Sequence, residues 1–244
     1  NTAVWFCALD ANTTGYSNQA LGCGALGANT TGHSNTGVGE SALLLNTTGF
    51  KNIAVGNNTL DSNTEGDENV AVGHLALGAN TTGNGNTAIG AESLKAITTA
   101  TCNTAVGHNS LEALTTAEYT VGIGHKSGVA VTTGACNTLI GNYAGYNLTT
   151  GYRNIAIGTN PQFSSVSACG QNVIGYDEVG KGDNTSFLDG SSGVFNKANS
   201  TTWNQTSDRR IKKNIVDNTT GLEKITQIQV RNFEYRTLDE ITDF

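Results

Sequence analysis

The sequence has no methionine, a single proline at Pro161, and few charges. Asp, Glu, Lys and Arg make up 14% of its 244 residues, against roughly 25% in ordinary soluble domains. The net charge of −7 arises wholly in residues 1–206, which hold six basic and thirteen acidic side chains, while residues 207–244 balance seven against seven. A sparse, mildly acidic chain excludes a nucleic-acid binder, which needs clustered Lys and Arg. No apolar run approaches the ~18 residues of a membrane-spanning helix, and no signal peptide is visible, so membrane insertion is not expected. The cysteines are Cys7, Cys23, Cys102, Cys136 and Cys169. An odd number without a CxxC pair excludes both a disulfide framework and a zinc ribbon. There is no Walker loop, and no pair of carboxylates recurs at a spacing that suggests an external substrate. No cofactor, no metal site and no enzyme acting on an external substrate are therefore expected. Beginning at Asn1 without Met, and in phase with a repeat, the chain reads as a fragment or a processed product.

What is present is a repeat of 17 residues, without insertion, starting at Asn1, Asn18, Asn35, Asn52, Asn69, Asn86, Asn103, Thr120, Asn137 and Asn154. Its consensus is N-T-A-V-G-x-x-A-L-x-A-N-T-T-G-x-x. Position 5 is Gly in nine of the ten, with Trp5 the exception, and position 13 is Thr in all nine complete repeats. Position 4 is always Val, Ile or Leu, and position 9 is Leu from Leu9 to Leu111. Self-similarity at a fixed short period marks a solenoid, and β-branched segments between Gly and Asn-Thr-Thr-Gly turns mark strands. The pattern predicts an all-β solenoid whose coils each hold two short strands and two turns. Its coils stack at the ~4.8 Å inter-strand spacing.

Within such a coil the position 4 side chains are expected to point inward in one column, together with the leucines. Gly at positions 5 and 15 suits positive-φ corners, and Asn at position 1 can stack into an amide ladder. Each coil offers only two large apolar side chains, worth about 1.5–3 kcal/mol each, while ordering each residue costs on the order of 1–2 kcal/mol. A thin core favours burying more surface against sister chains. Position 12 drifts from Asn12, Asn29, Asn46, Asn63 and Asn80 to Ile97, Leu114, Val131 and Leu148, while position 9 becomes Gly128 and Gly145. The apolar column is expected to be buried within or between subunits. After Asn154 the phase decays through Pro161 and Phe163, and Asn172-Val-Ile-Gly175 reads as an off-phase echo ending the array.

Other residues have bland readings beside sharper ones. Cys102 and Cys136 share position 17, two coils and hence ~10 Å apart, too far for a disulfide, so the cysteines read as small buried fillers. His74, His108 and His125 share position 6 and could gather an ion around a threefold axis, but turn histidines are far commoner. Of ten N-x-S/T sequons, Asn12, Asn29, Asn46 and Asn80 form one column. Sugars there would ladder down one edge, although Asn-Thr-Thr-Gly is simply a good turn, and the turn is the preferred reading.

The repeat resembles the N-T-x-[IV]-G-x-x-A-[LG] arrays of phage and large-virus tail fibres, most closely at Asn137-Thr-Leu-Ile-Gly-Asn-Tyr-Ala-Gly-Tyr146. With a longer turn, it is also similar to the head repeats of trimeric autotransporter adhesins, a β-roll fold. At the other end, Ser207-Asp-Arg-Arg-Ile-Lys-Lys-Asn-Ile215, Gly221-Leu-Glu-Lys-Ile225 and Val230-Arg-Asn-Phe-Glu-Tyr-Arg236 resemble the intramolecular chaperone of endosialidase family. Gln229 stands where that family usually has Pro, and the chain stops at Phe244, ahead of the family's long helices.

These resemblances imply a trimeric β-solenoid shaft over residues 1–170, a transition segment over 171–206, and the beginning of an α+β chaperone domain over 207–244. They imply a homotrimer on a virion surface, with a host-cell receptor or glycan and other fibre or baseplate proteins as partners. A cellular surface adhesin, or the stalk of a glycan-degrading tailspike with its enzyme upstream, are the alternatives. Carried over residue by residue, Ser207 is the self-cleavage nucleophile at the Thr206–Ser207 bond and Lys212 its activating base, since a desolvated Lys can accept a hydroxyl proton. Without the family, the same stretch reads as a solvated, charged strand entry.

Overall fold

A computed structural model describes residues 1–188 with their side chains and the backbone of 194–196 and 203–205. The chain divides into two units, Asn1–Thr206 and Ser207–Phe244, and all described residues belong to the first. Its strands are β1 (Thr2–Val4), β2 (Gln19–Leu21), β3 (Thr36–Val38), β4 (Ile53–Val55), β5 (Val70–Val72), β6 (Thr87–Ile89) and β7 (Thr104–Val106). Then follow β8 (Val121–Ile123), β9 (Thr138–Ile140), β10 (Ile155–Ile157), β11 (Asn172–Ile174), β12 (Ser186–Leu188), β13 (Val194–Asn196) and β14 (Trp203–Gln205). They form one sheet in sequence order. Pairing is parallel from β1 to β12 and antiparallel from β12 through β14. The fold is an all-β parallel solenoid, and no helix occurs among the described residues.

Each coil contributes one strand, at positions 2–4, rather than two. The rest of the coil is turn, and its backbone bonds still run from coil to coil. The N–H groups of Thr13, Thr14 and Gly15 converge on the carbonyl of Thr30 at 3.0, 3.2 and 3.2 Å, and the Thr13 hydroxyl donates to the same oxygen at 2.9 Å. Several donors on one acceptor hold the turns together without a second extended strand, which is why Thr recurs at position 13.

The strand faces the opposite way from the expectation drawn from its β-branched residues. Position 3 is inside: Ala20, Ala54, Ala71 and Ala88 are buried, whereas Leu21 is 49% and Ile89 41% exposed at position 4. The physical reason is volume. The position 9 leucines, Leu26 to Leu111, fill the coil and are fully buried, so the strand opposite them must present a small side chain. Successive side chains alternate between faces, and putting Ala inside turns Val and Ile out.

Those leucines take φ between 49 and 55°, a left-handed conformation that costs a non-glycine residue roughly 1–2 kcal/mol. Complete burial, worth about 1.5–3 kcal/mol for Leu, offsets it. Position 5 is left-handed too: Gly90 has φ 132°, and a Cβ there would sit 2.6 Å from the Gly107 carbonyl of the next coil. The position 15 glycines do not have positive φ, contrary to expectation. They are needed for close approach, since a Cβ on Gly49 would meet the Asn46 Oδ1 and the Gly66 carbonyl oxygen.

Two columns of buried amides run along the solenoid. At position 1, Asn18 Nδ2 donates to the Gly32 carbonyl at 2.8 Å, closing its own coil. Its Oδ1 accepts the Asn35 N–H of the next coil at 3.0 Å. At position 12, Asn29, Asn46, Asn63 and Asn80 each donate Nδ2 to the preceding Oδ1 at 2.8–2.9 Å. From Ile97 onward that column is apolar, and Ile97, Leu114, Val131 and Leu148 are buried in the solenoid's own core.

Where position 9 becomes Gly128 and Gly145, Leu139 takes the place of the usual Ala at position 3. A Cβ on Gly128 would lie 2.5 Å from Leu139 Cδ1, and one on Gly145 would lie 2.8 Å from Cδ2. One leucine thus crosses the coil from the strand side to fill the space two others leave. The frame also continues further than the sequence reading put it. Ile155 pairs with Asn172 and Ile157 with Ile174, so Gln171 opens an eleventh coil in phase. Its N–H reaches Asn154 Oδ1 at 2.9 Å in the Asn column.

Candidate functional site

Around the coil, charge is confined to certain corners. Every Asp, Glu, Lys and Arg in residues 1–174 falls at position 6, 7, 10, 14, 16 or 17. The outward strand face, at positions 2 and 4, has none. There Ile53, Val55, Val72, Ile89, Ile123, Ile155 and Ile157 stand exposed. The sequence signal for this column was the small residue at position 3, which fixes the direction of its neighbours.

A second feature is a groove of about 660 Å³ across the middle coils, lined by Asp61, Leu75, Lys95, Glu112 and Val129 around Ala79, Ala96 and Ala113. Lys95 pairs with Glu92 at 2.9 Å, which holds the Glu92 carboxyl below its usual range and raises the Lys95 ammonium. Asn109 Nδ2 donates to Glu112 Oε2 at 2.7 Å. Desolvation pushes the Asp61 carboxyl up, against hydrogen bonds from Ser62 and its own backbone. Asp61 and Glu112 share position 10 three coils apart, so their backbones are ~14 Å apart at the inter-strand spacing. Two-carboxylate glycosidases hold their pair at about 5–9.5 Å, and the groove does not have that arrangement in these two residues.

Aromatic side chains stack from coil to coil at two turn positions. Tyr16, His33 and Phe50, successive at position 16, stack at 4.6 and 5.0 Å between centroids. Lys51 sits over Phe50 and pairs with Glu68 at 2.8 Å. At position 6, His108 and His125 stack at 5.7 Å, with His125 Nδ1 3.1 Å from Asn142 Oδ1. Among the described residues no three His, Cys, Asp or Glu side chains gather in reach of one ion.

The cysteines are not buried fillers. Cys7, Cys23, Cys102 and Cys136 are exposed, Cys169 is half-buried, and all are free. They occupy positions 6, 7, 16 and 17, the outer turns, where the core has no space to fill. Of the sequon column, Asn29, Asn46 and Asn80 are buried with Nδ2 engaged in hydrogen bonds. A sugar on that nitrogen would displace the ladder, so the Asn-Thr-Thr-Gly column is structural. Thr206, Ser207 and Lys212 lie outside the described residues. No described helix is long and apolar enough to cross a membrane.

Residues 207–243 match the family model described as the chaperone of endosialidase. Neither a curated protein nor a solved structure matches the chain. A chaperone-of-endosialidase match following a parallel β-solenoid of 17-residue coils fits the shaft of a phage tail-fibre-like or tailspike-like protein.

Proposed function

We propose that this chain is the shaft of a homotrimeric fibre on a virion surface, used in attachment to a host-cell receptor or glycan and joined to other fibre or baseplate proteins. The observation that carries this reading is the order of parts. The compact unit that carries the solenoid is Asn1–Thr206, and the chaperone match begins at Ser207. A solenoid with one buried leucine per coil through most of its length has a narrow core, and association in threes enlarges the buried surface. Light scattering on the full chain tests the reading. A molar mass about three times the 25.3 kDa of one chain is expected, and a stable monomer overturns it.

The same reading assigns self-processing to the start of the match. The Ser207 hydroxyl oxygen attacks the Thr206 carbonyl carbon while Lys212 in its neutral form accepts the hydroxyl proton. The C–N bond breaks as the Ser207 nitrogen takes that proton back from Lys212 and leaves as an amine. Water then releases the resulting ester. Mass spectrometry of the assembled protein checks this: cleavage between Thr206 and Ser207 is expected, lost in Ser207→Ala and slowed in Lys212→Ala. An uncut bond in every copy of the trimer removes the protease role and leaves the fibre reading standing.

A further inference from the structure

We infer that the outward face of the sheet, at positions 2 and 4, is the seam of the trimer, with the position 4 columns of three parallel chains meeting in register at the common axis. This rests on the trimeric-fibre reading and adds which surface makes the contact.

The first argument is chemical. A solvated face of a sheet ordinarily alternates polar and charged residues against its buried face. Here position 4 is Val, Leu or Ile in every coil from Val4 to Ile174, and position 2 carries Thr, Val, Ile, Gln or Asn without one charge. Large side chains on this face, such as Leu21 at 49% and Ile89 at 41%, remain open to solvent in the single chain. A continuous exposed apolar stripe marks an interaction surface.

The second argument identifies the occupant. The stripe is linear, one side chain per coil, and spans all eleven coils. A partner that covers it must be equally long, equally free of charge along its contact, and repeated at the same spacing. A parallel copy of the same face meets all three conditions, since each position 4 side chain then lies opposite its own equivalents. Strands β12 to β14 extend the sheet at its C-terminal edge, so these strands continue along the stack. The charged corners, including Asp61, Lys95 and Glu112 of the groove, then stay outside the seam, where no desolvated charge opposes association.

Cysteine cross-linking of the full chain tests it. Val72→Cys and, as a second variant, Val55→Cys place a thiol in the column. Thr82→Cys places one on an exposed turn, and wild type carries its own exposed Cys23, Cys102 and Cys136 on the other corners. On mild oxidation, disulfide-linked dimers are expected from Val72→Cys and Val55→Cys, in roughly two thirds of chains because three thiols at an axis form one pair. Wild type and Thr82→Cys are expected to stay unlinked. If neither column variant links while light scattering shows a trimer, the chains join through another face; the seam is overturned and the fibre reading survives. Equal linking in Thr82→Cys or wild type also overturns the seam. A monomer in solution overturns both.

Discussion

Asn80 donates its Nδ2 to Asn63 Oδ1 at 2.8 Å, but its own Oδ1 is buried and accepts nothing, because the next coil carries Ile97 in that column. The amide ladder begun at Asn12 therefore ends on an orphaned acceptor. This sets up an unequal pair of substitutions. Asn46→Leu removes the bonds to Asn29 Oδ1 and from Asn63 and creates a new buried orphan at Asn29. Asn80→Leu removes one orphan while creating another at Asn63, and Gly83 O keeps its bond from Asn69. An unsatisfied buried polar group costs roughly 1–3 kcal/mol. Urea unfolding is expected to show Asn46→Leu as the more destabilising by about 1–2 kcal/mol, and equal losses would count against the ladder's energetic role.

The core swap at Leu139 gives a coupled prediction. Leu139→Ala empties a fully buried site and is expected to cost about 3 kcal/mol, as buried leucine truncations do. Gly128→Leu alone drives its side chain into Leu139 and Leu111 and is expected to cost about 1–3 kcal/mol by overpacking. Gly128 has φ 59°, close to the φ 51° of Leu111 at the same position, so the backbone accepts leucine there. The double variant restores the arrangement of the earlier coils and is expected to be more stable than either single variant. Simple additivity in a double-mutant cycle would contradict the exchange of volume between the two sites.

The repeat frame, the all-β solenoid and the amide column were legible in the sequence, because each rests on identical residues meeting identical residues one coil on. The direction of the strand was not read correctly, since β-branched residues suggest burial and nothing local shows the leucine filling the coil from the other side. The clue lay in covariation within the chain: the loss of Leu at Gly128 and Gly145 accompanies Leu139 at position 3. Gln171 was passed over for a related reason. The column needs a side-chain carbonyl oxygen that accepts and a backbone N–H that donates, and Gln171 supplies the latter as well as Asn does. The cysteines were misplaced because their small size suggested a core role, while their positions at the outer turns decide the matter.

Asp61 gives a dependence on pH. Desolvation in the groove raises its carboxyl above 3.8, so the folded chain holds that proton more tightly than the unfolded chain does. Its contribution is then most favourable to folding below 3.8 and declines as pH rises through the raised folded value. Asp61→Asn keeps the shape and an acceptor oxygen but removes the charge. Thermal unfolding is expected to show no gain for the variant at about pH 3 and a gain near pH 7. A variant that is less stable near neutrality would mean that the carboxylate's hydrogen bonds outweigh its desolvation.

Thr120 is the one interruption in the position 1 column. At every other step from Asn18 to Gln171, the backbone N–H opening a coil donates to the Asn side-chain oxygen of the coil before. At Asn137 that bond is missing, because Thr120 has no amide oxygen to offer. Its hydroxyl lies at 3.4 Å from both the Glu118 and the Gly134 carbonyl oxygens, a long contact to each. Thr120→Asn supplies both halves of the motif: an Oδ1 for the Asn137 N–H and an Nδ2 for Gly134 O, in the geometry Asn103 shows one coil earlier, where Nδ2 donates to Ala117 O at 2.9 Å. A net intramolecular hydrogen bond is worth about 0.5–1.5 kcal/mol, and Thr120 is already fully buried, so the exchange exposes no apolar surface. The variant is expected to be more stable than wild type by about 1 kcal/mol in urea unfolding, with amide exchange at Asn137 slowed. Faster exchange at Asn137 together with lower stability would mean that this coil is too tightly packed to admit the longer side chain, and that threonine is held there by space.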